Sequence, residues 1–179
     1  PKVAGKIGAS IYSKILHQSD SIQSWVATTD DDRTKIVYYH AIARYWIKAY
    51  DFVPFFQREG ETPGVSTTLE SLLLRDETDV LRFLCLINSS LFYYWWMTQS
   101  DEFHVLPSEV LGFGVPSQDV LWPSDEAIKG LVSTLMQSYK ENSVRRRRRF
   151  GGKLVTYDEF RPRLSLEIIH AIDDMITPL

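Results

Sequence analysis

An α+β fold is what the sequence predicts, and three observations predict it. The stretch Val80 to Gln99 reads V-L-R-F-L-C-L-I-N-S-S-L-F-Y-Y-W-W-M-T-Q, and its apolar positions cover most of a helix surface. Ahead of it lie runs of β-branched and aromatic residues, Ile36 to Tyr39 and Tyr45 to Ala49, which favour strands. Behind it come two amphipathic helical patterns. Strands before a buried helix and helices after it argue small mixed sheets packed around a long helix at about residues 78–99. At about 1.5 Å per residue that helix would be roughly 30 Å long, the width of a small domain. It is not read as a membrane span. Arg82 and the Asn88-Ser89-Ser90 triplet would be costly in lipid, and there is no positive flank and no second span.

The elements follow in order. Residues 1–34 mix alternating and helical features and resist assignment; Asp30-Asp31-Asp32 reads as a solvated acidic turn without the further ligands a cation would need. Ile36 to Tyr39 and Tyr45 to Ala49 are expected as paired strands joined by a tight bend at 40–44, with Pro54 ending the second run. Arg58 to Gly64 is a polar loop, and Ser66 to Leu74 a further strand. Asp76-Glu77-Thr78-Asp79 gives the central helix a start that suits its dipole. Phe103 to Leu106 is expected as a short strand stopped by Pro107, and Val110 to Pro116 as an extended piece. Ser124 is an N-cap for a helix at about 124–143, and the last helix runs at about 165–177. The 179 residues fit one domain, with 150–179 as a C-terminal tail and helix. The opening Pro1-Lys2-Val3 without an initiator methionine, and the helical pattern running up to Pro178-Leu179, lead to the expectation of a piece of a longer protein.

Hydrophobic residues make up 44% and aromatics 13%, enough for a core and too much for global disorder. The single cysteine, Cys85, excludes an internal disulfide and a cysteine zinc cluster; inside the apolar run it reads as an inert core thiol. With no signal peptide, the expected compartment is the cytoplasm. Four histidines lack metal spacing, and no phosphate-cradling glycine loop, dinucleotide fingerprint or nucleophile elbow occurs. No catalytic constellation is assigned.

What stands out is charge placement. Net charge is −3, yet Lys140 to Lys153 carries Lys140, Arg145, Arg146, Arg147, Arg148, Arg149 and Lys153 against Glu141 alone. Cations packed this densely repel one another unless an anion relieves them, and arginine forks two bonds to a phosphate or to guanine. Nucleic-acid contact is therefore expected there, against the plainer alternative of a solvated loop. A second set, Arg44, Tyr45 and Lys48 among aromatics, could stack on a base or bond a phosphate. Strict alternation would expose Tyr39, Arg44, Tyr45 and Lys48.

Leu86 to Trp96, L-I-N-S-S-L-F-Y-Y-W-W, followed by Ser100 to Leu106, S-D-E-F-H-V-L, resembles a signature in the C-terminal half of adenine-N6 DNA methyltransferases of restriction–modification systems. Single-chain type IIG enzymes, which fuse a nuclease to the methyltransferase, belong to that group. Phe113-Gly114-Val115-Pro116 stands where the family has a Phe-Pro-Ile-Pro-like segment, and Tyr38 to Lys48 and Tyr157 to Asp173 look like the flanking parts. The resemblance implies a target-recognition domain over residues 1–179 whose partner is double-stranded DNA. The catalytic methyltransferase domain of the same polypeptide, outside this chain, would bind S-adenosylmethionine; no cofactor is expected here, because the family's Asn-Pro-Pro-Tyr motif and cofactor glycines are missing. His104 is carried over as a groove contact, although Phe103 replaces the arginine that usually precedes it. The rival readings are a protein–protein interaction module of a multi-subunit assembly and a stand-alone enzyme of unrecognised type.

Overall fold

The long apolar stretch folds as two helices rather than one. A computed structural model describes residues 2–3, 5–43, 45–117 and 122–177. It breaks the stretch at the polar triplet. The Asn88 side chain donates to the Leu84 carbonyl (2.8 Å) and to the Ala49 carbonyl (3.1 Å), and its Oδ1 accepts from the Ala49 N–H (3.2 Å) and the Tyr139 hydroxyl (3.0 Å). Ser89 turns extended (φ −83°, ψ 160°), and its Oγ accepts from the Phe92 N–H, capping the second helix. Asn88 and Ser89 compete with the helix for its own backbone groups, and here they win.

In chain order the elements are α1 (Gly5–Leu16), β1 (Asp20–Ser21), a 3₁₀ turn (Ile22–Trp25), β2 (Lys35–His40), β3 (Ala49–Tyr50), β4 (Phe56–Arg58), β5 (Leu69–Leu74), α2 (Glu77–Ile87), α3 (Ser90–Gln99), α4 (Pro107–Leu111), β6 (Gly114–Val115), α5 (Asp125–Glu141), β7 (Val144–Phe150), β8 (Lys153–Glu159), a second 3₁₀ turn (Pro162–Ser165) and α6 (Leu166–Ile176). The fold class is α+β. Three small antiparallel sheets have the orders β1-β6, β3-β2-β5 and β4-β8-β7. The helices α2, α5 and α6 pack in sequence, and α3 lies on both α2 and α6.

The α2 helix is buried almost throughout, from Asp79 to Ile87, with only Arg82 part-exposed and lying 4.9 Å over the Trp122 ring. Its N-cap is Asp76, whose side chain accepts from the Asp79 N–H. The buried Asp79 is forked by Arg75 (2.8 and 3.3 Å), which satisfies the carboxylate. Ser90 opens α3 and bonds the Asp173 carboxylate of α6 through both its N–H (2.8 Å) and its hydroxyl (2.6 Å). Cys85 is sealed in the core, where burial pushes its thiol up to about 12, so it is an inert thiol at neutral pH.

Four expectations need correction. The run Tyr45 to Ala49 contributes only Ala49 to a strand; ahead of it Ala41 and Ala43 are stitched to 103–105 by Ala43 N–H to Phe103 C=O and Val105 N–H to Ala41 C=O. Phe103 to Leu106 forms a single bridge, His104 with Ile42, and no strand. Pro107 starts a helix instead of stopping a strand, because a first-turn N–H has no intrahelical partner to lose. Of the extended piece expected at 110–116, Val110 and Leu111 are the end of α4, and only Gly114 and Val115 form a strand, β6. Within 150–179, β8 is the middle strand of its sheet, and Ile169, Ile172 and Ile176 of α6 are fully buried.

Replacing Asn88 by alanine would strand both backbone groups of Ala49 and the Tyr139 hydroxyl inside the core. The expected loss is about 2 to 4 kcal/mol of unfolding free energy, read from urea midpoints, against about 1 kcal/mol or less for Ser90→Ala at the exposed end of α3.

Candidate nucleic-acid interface

The arginine run is a strand, not a loop. Gly151 and Gly152 both adopt positive φ (+53° and +84°) and close a two-residue hairpin that pairs Phe150 with Lys153. Arginine has no special taste for strands, so the hairpin follows from the glycine pair and from the β-branched Val155 and Thr156 opposite. β7 is an edge strand, with no strand beyond it among the described residues.

Strand geometry divides the five arginines between two faces. Arg145, Arg147 and Arg149 share one face with Thr156 and Asp158. Arg146 and Arg148 share the other with Val155 and Tyr157. Arg145 is held at the base: it bonds Asp158 (2.6 and 3.4 Å), and its guanidinium lies 3.7 Å over the Phe55 ring. Arg146 bonds Glu159 (3.1 and 3.2 Å), and that bond, with help from Arg161, holds the Glu159 carboxyl below its usual range. Towards the tip the acids run out. Arg149 bonds only the Gly152 carbonyl, and Arg147 and Arg148 make no hydrogen bond or ion pair among the described residues; all three are exposed. Lys153 is exposed too and lies 3.6 Å from Glu61.

The second face of the hairpin forms one wall of a cleft of about 1110 Å³. Across it lie residues of the 40–48 loop, of 66–69 and of 161–166. The charged lining is Lys48, Arg58, Arg148, Lys153, Arg161 and Arg163 against Asp158 and Glu159. Both carboxylates already have arginine partners, so the cleft is positive on a chain whose net charge is −3.

The other candidates scatter. Tyr45 and Lys48 line the cleft; Arg44 lies outside the described residues. Tyr45 is 94% exposed and has φ +75°, an uncommon conformation for a residue with a side chain. Lys48 is not on an exposed face as alternation required. It is buried and donates to the Trp46 carbonyl (2.9 Å). Tyr39 is buried as well, because the alternation of β2 puts it on the same inward face as Val37. His104 does not line the cleft. Its Nδ1 lies 2.6 Å from an Asp101 oxygen, and this bond brings the exposed Asp101 carboxyl down to about 2. Reading from the sequence missed His40, Arg58, Arg161 and Arg163. The usable signal was Arg161-Pro162-Arg163 directly after a strand, a pair of cations whose spacing a proline stiffens. Comparison with known protein families, with curated proteins and with solved structures returns no match for this chain.

His40 lines the cleft with its ring edge-on to Tyr50 (5.6 Å). Burial, with the Lys48 charge nearby, pushes its pKa down to about 4. The fold therefore favours the neutral ring. The stability this represents is present above the unfolded value of about 6.5 and is lost as pH falls towards 4. Between those limits the unfolding free energy of His40→Gln should fall less than that of the parent chain, by on the order of 2 to 3 kcal/mol, in urea titrations across that range.

Proposed function

We propose that this chain is the target-recognition domain of an adenine-specific DNA methyltransferase of a restriction–modification system, acting in the cytoplasm. The observation that carries the reading is the open cationic hairpin: Arg147 and Arg149 project from one face of an edge strand without acidic partners among the described residues. Such a strand offers guanidinium groups at a fixed spacing to a phosphate rail, and each phosphate it neutralises releases a counterion. The Leu86 to Trp96 resemblance supports the same reading. The Asn-Ser-Ser at its centre is the joint on which α2, α3, β3 and α5 meet in this chain. In this reading the methyl donor, S-adenosylmethionine, and the base-flipping step belong to a catalytic domain elsewhere in the polypeptide, and this domain sets which duplex is presented.

A protein-interaction module is the competing reading, favoured by the unpaired outer edge of β7, which could accept a further strand from a partner. Salt separates the two. Duplex binding measured by fluorescence anisotropy between about 50 and 200 mM salt should show log affinity falling linearly with log salt. Arg147→Ser with Arg149→Ser should make that slope shallower by about 0.9 for each phosphate that is no longer neutralised. A slope that the double variant leaves unchanged would reject the hairpin as the phosphate grip.

A further inference from the structure

We infer that the cleft beside the hairpin takes a short unpaired nucleic-acid strand, on the order of two or three nucleotides, rather than duplex. The inference rests on the proposal that the chain binds DNA, and names what its cleft holds.

Three features of the cleft point the same way. The first is size. A volume of about 1110 Å³ lies just beyond the usual range for a drug-sized ligand, roughly 300 to 1,000 Å³, which suits a few nucleotides; a double helix, with a major groove alone about 12 Å wide, must be gripped from outside. The second is charge. Arg148, Arg58 and Arg163 line the cleft without a carboxylate partner among the described residues, while Asp158 and Glu159 are taken up by arginines. The occupant is therefore polyanionic. The third is the aromatic surface. Tyr45 is 94% exposed while lining the cleft, so its ring stands at the mouth, on a backbone with positive φ. Trp46, next to it, lies flat on Tyr93 (centroids 4.7 Å apart), and its indole N–H is shut off from solvent without an acceptor among the described residues. Phe150, 49% exposed, faces the cleft from the hairpin.

Cations beside open rings are the pattern that holds bases by stacking and backbone by charge. Rings can stack only on bases that have left the duplex stack, since in paired DNA those faces are already covered. The hairpin then separates two jobs. Arg147 and Arg149 face a duplex rail on one side, and Arg148 faces an unpaired strand on the other.

The test compares a labelled perfect duplex with the same duplex carrying a bulge of about three unpaired thymidines, both titrated with the full chain by fluorescence anisotropy. The bulged DNA should bind about tenfold tighter. Tyr45→Ala, which removes an exposed ring, combined with Arg148→Ser, should bring the two affinities within about twofold of each other. Arg147→Ser should weaken both DNAs and leave their ratio in place. Equal affinity of the unaltered chain for both DNAs overturns this inference but leaves duplex recognition standing, whereas no binding to either DNA overturns both. A preference for the bulge that survives Tyr45→Ala with Arg148→Ser overturns the cleft as its seat. Displacement of the bulged DNA by a polyglutamate peptide at equal charge concentration also overturns the inference, and assigns the cleft to an acidic polypeptide.

Discussion

A buried amide holds the molecule together. Asn88 gives the backbone of Ala49 both the donor and the acceptor that a neighbouring strand would have supplied, caps α2, and accepts the Tyr139 hydroxyl of α5. Sheet, helix pair and later helix are thus registered through one side chain. A polar network in a low-dielectric interior is tolerated only when every member is satisfied, and that requirement allows few alternative packings. The aromatic cluster around it, Tyr50 with Tyr139 and Phe160 at centroid distances of 4.9 to 5.8 Å, supplies the cohesion that an amide cannot.

The same cluster also anchors the candidate interface. The β4-β8-β7 sheet is anchored where Phe160 enters the aromatic cluster and where Arg145 and Arg146 clamp onto Asp158 and Glu159. Ion pairs at the root and open guanidiniums at the tip give the hairpin a charge gradient. The root pairs are partly exposed, so each adds little to stability, but together they fix the direction in which the tip projects. Edge strands rich in cations also resist pairing with stray strands. That role and anion binding are compatible, since both need the charges to stay in water.

Much of the architecture is legible in the sequence because it rests on periodicity and capping. The α5 and α6 patterns, the Ser124 cap, the buried thiol and the strands at 35–40 and 69–74 all follow from local rules. What escapes those rules are places where one residue type serves opposite ends. Pro107 suits the end of a strand and the start of a helix alike, and it is the start. Asn88 and Ser89 sit inside an apolar period that they divide. The arginine run hides a strand because its propensity is neutral and the informative residues, Gly151 and Gly152, lie beyond it. The cleft is illegible for a different reason. Its walls come from segments near residues 40, 58, 67, 150 and 163, which only the packing of two sheets brings together. Lys48 is misplaced because the backbone at Ala41 and Ala43 pairs with the 103–105 segment, a long-range contact that no local pattern announces, and Tyr39 because the alternation of its own strand puts it inward with Val37.

The position of Cys85 has a further use for the chemistry of the chain. It lies in the last turn of the first of two helices that share the Asn88 joint, with no exposure and with its proton held tightly. A thiol in that setting meets an alkylating or oxidising reagent only when the centre of the molecule comes apart. Its rate of labelling is therefore a built-in clock for whole-core opening, unaffected by fraying of the hairpin or of the loop that carries Tyr45.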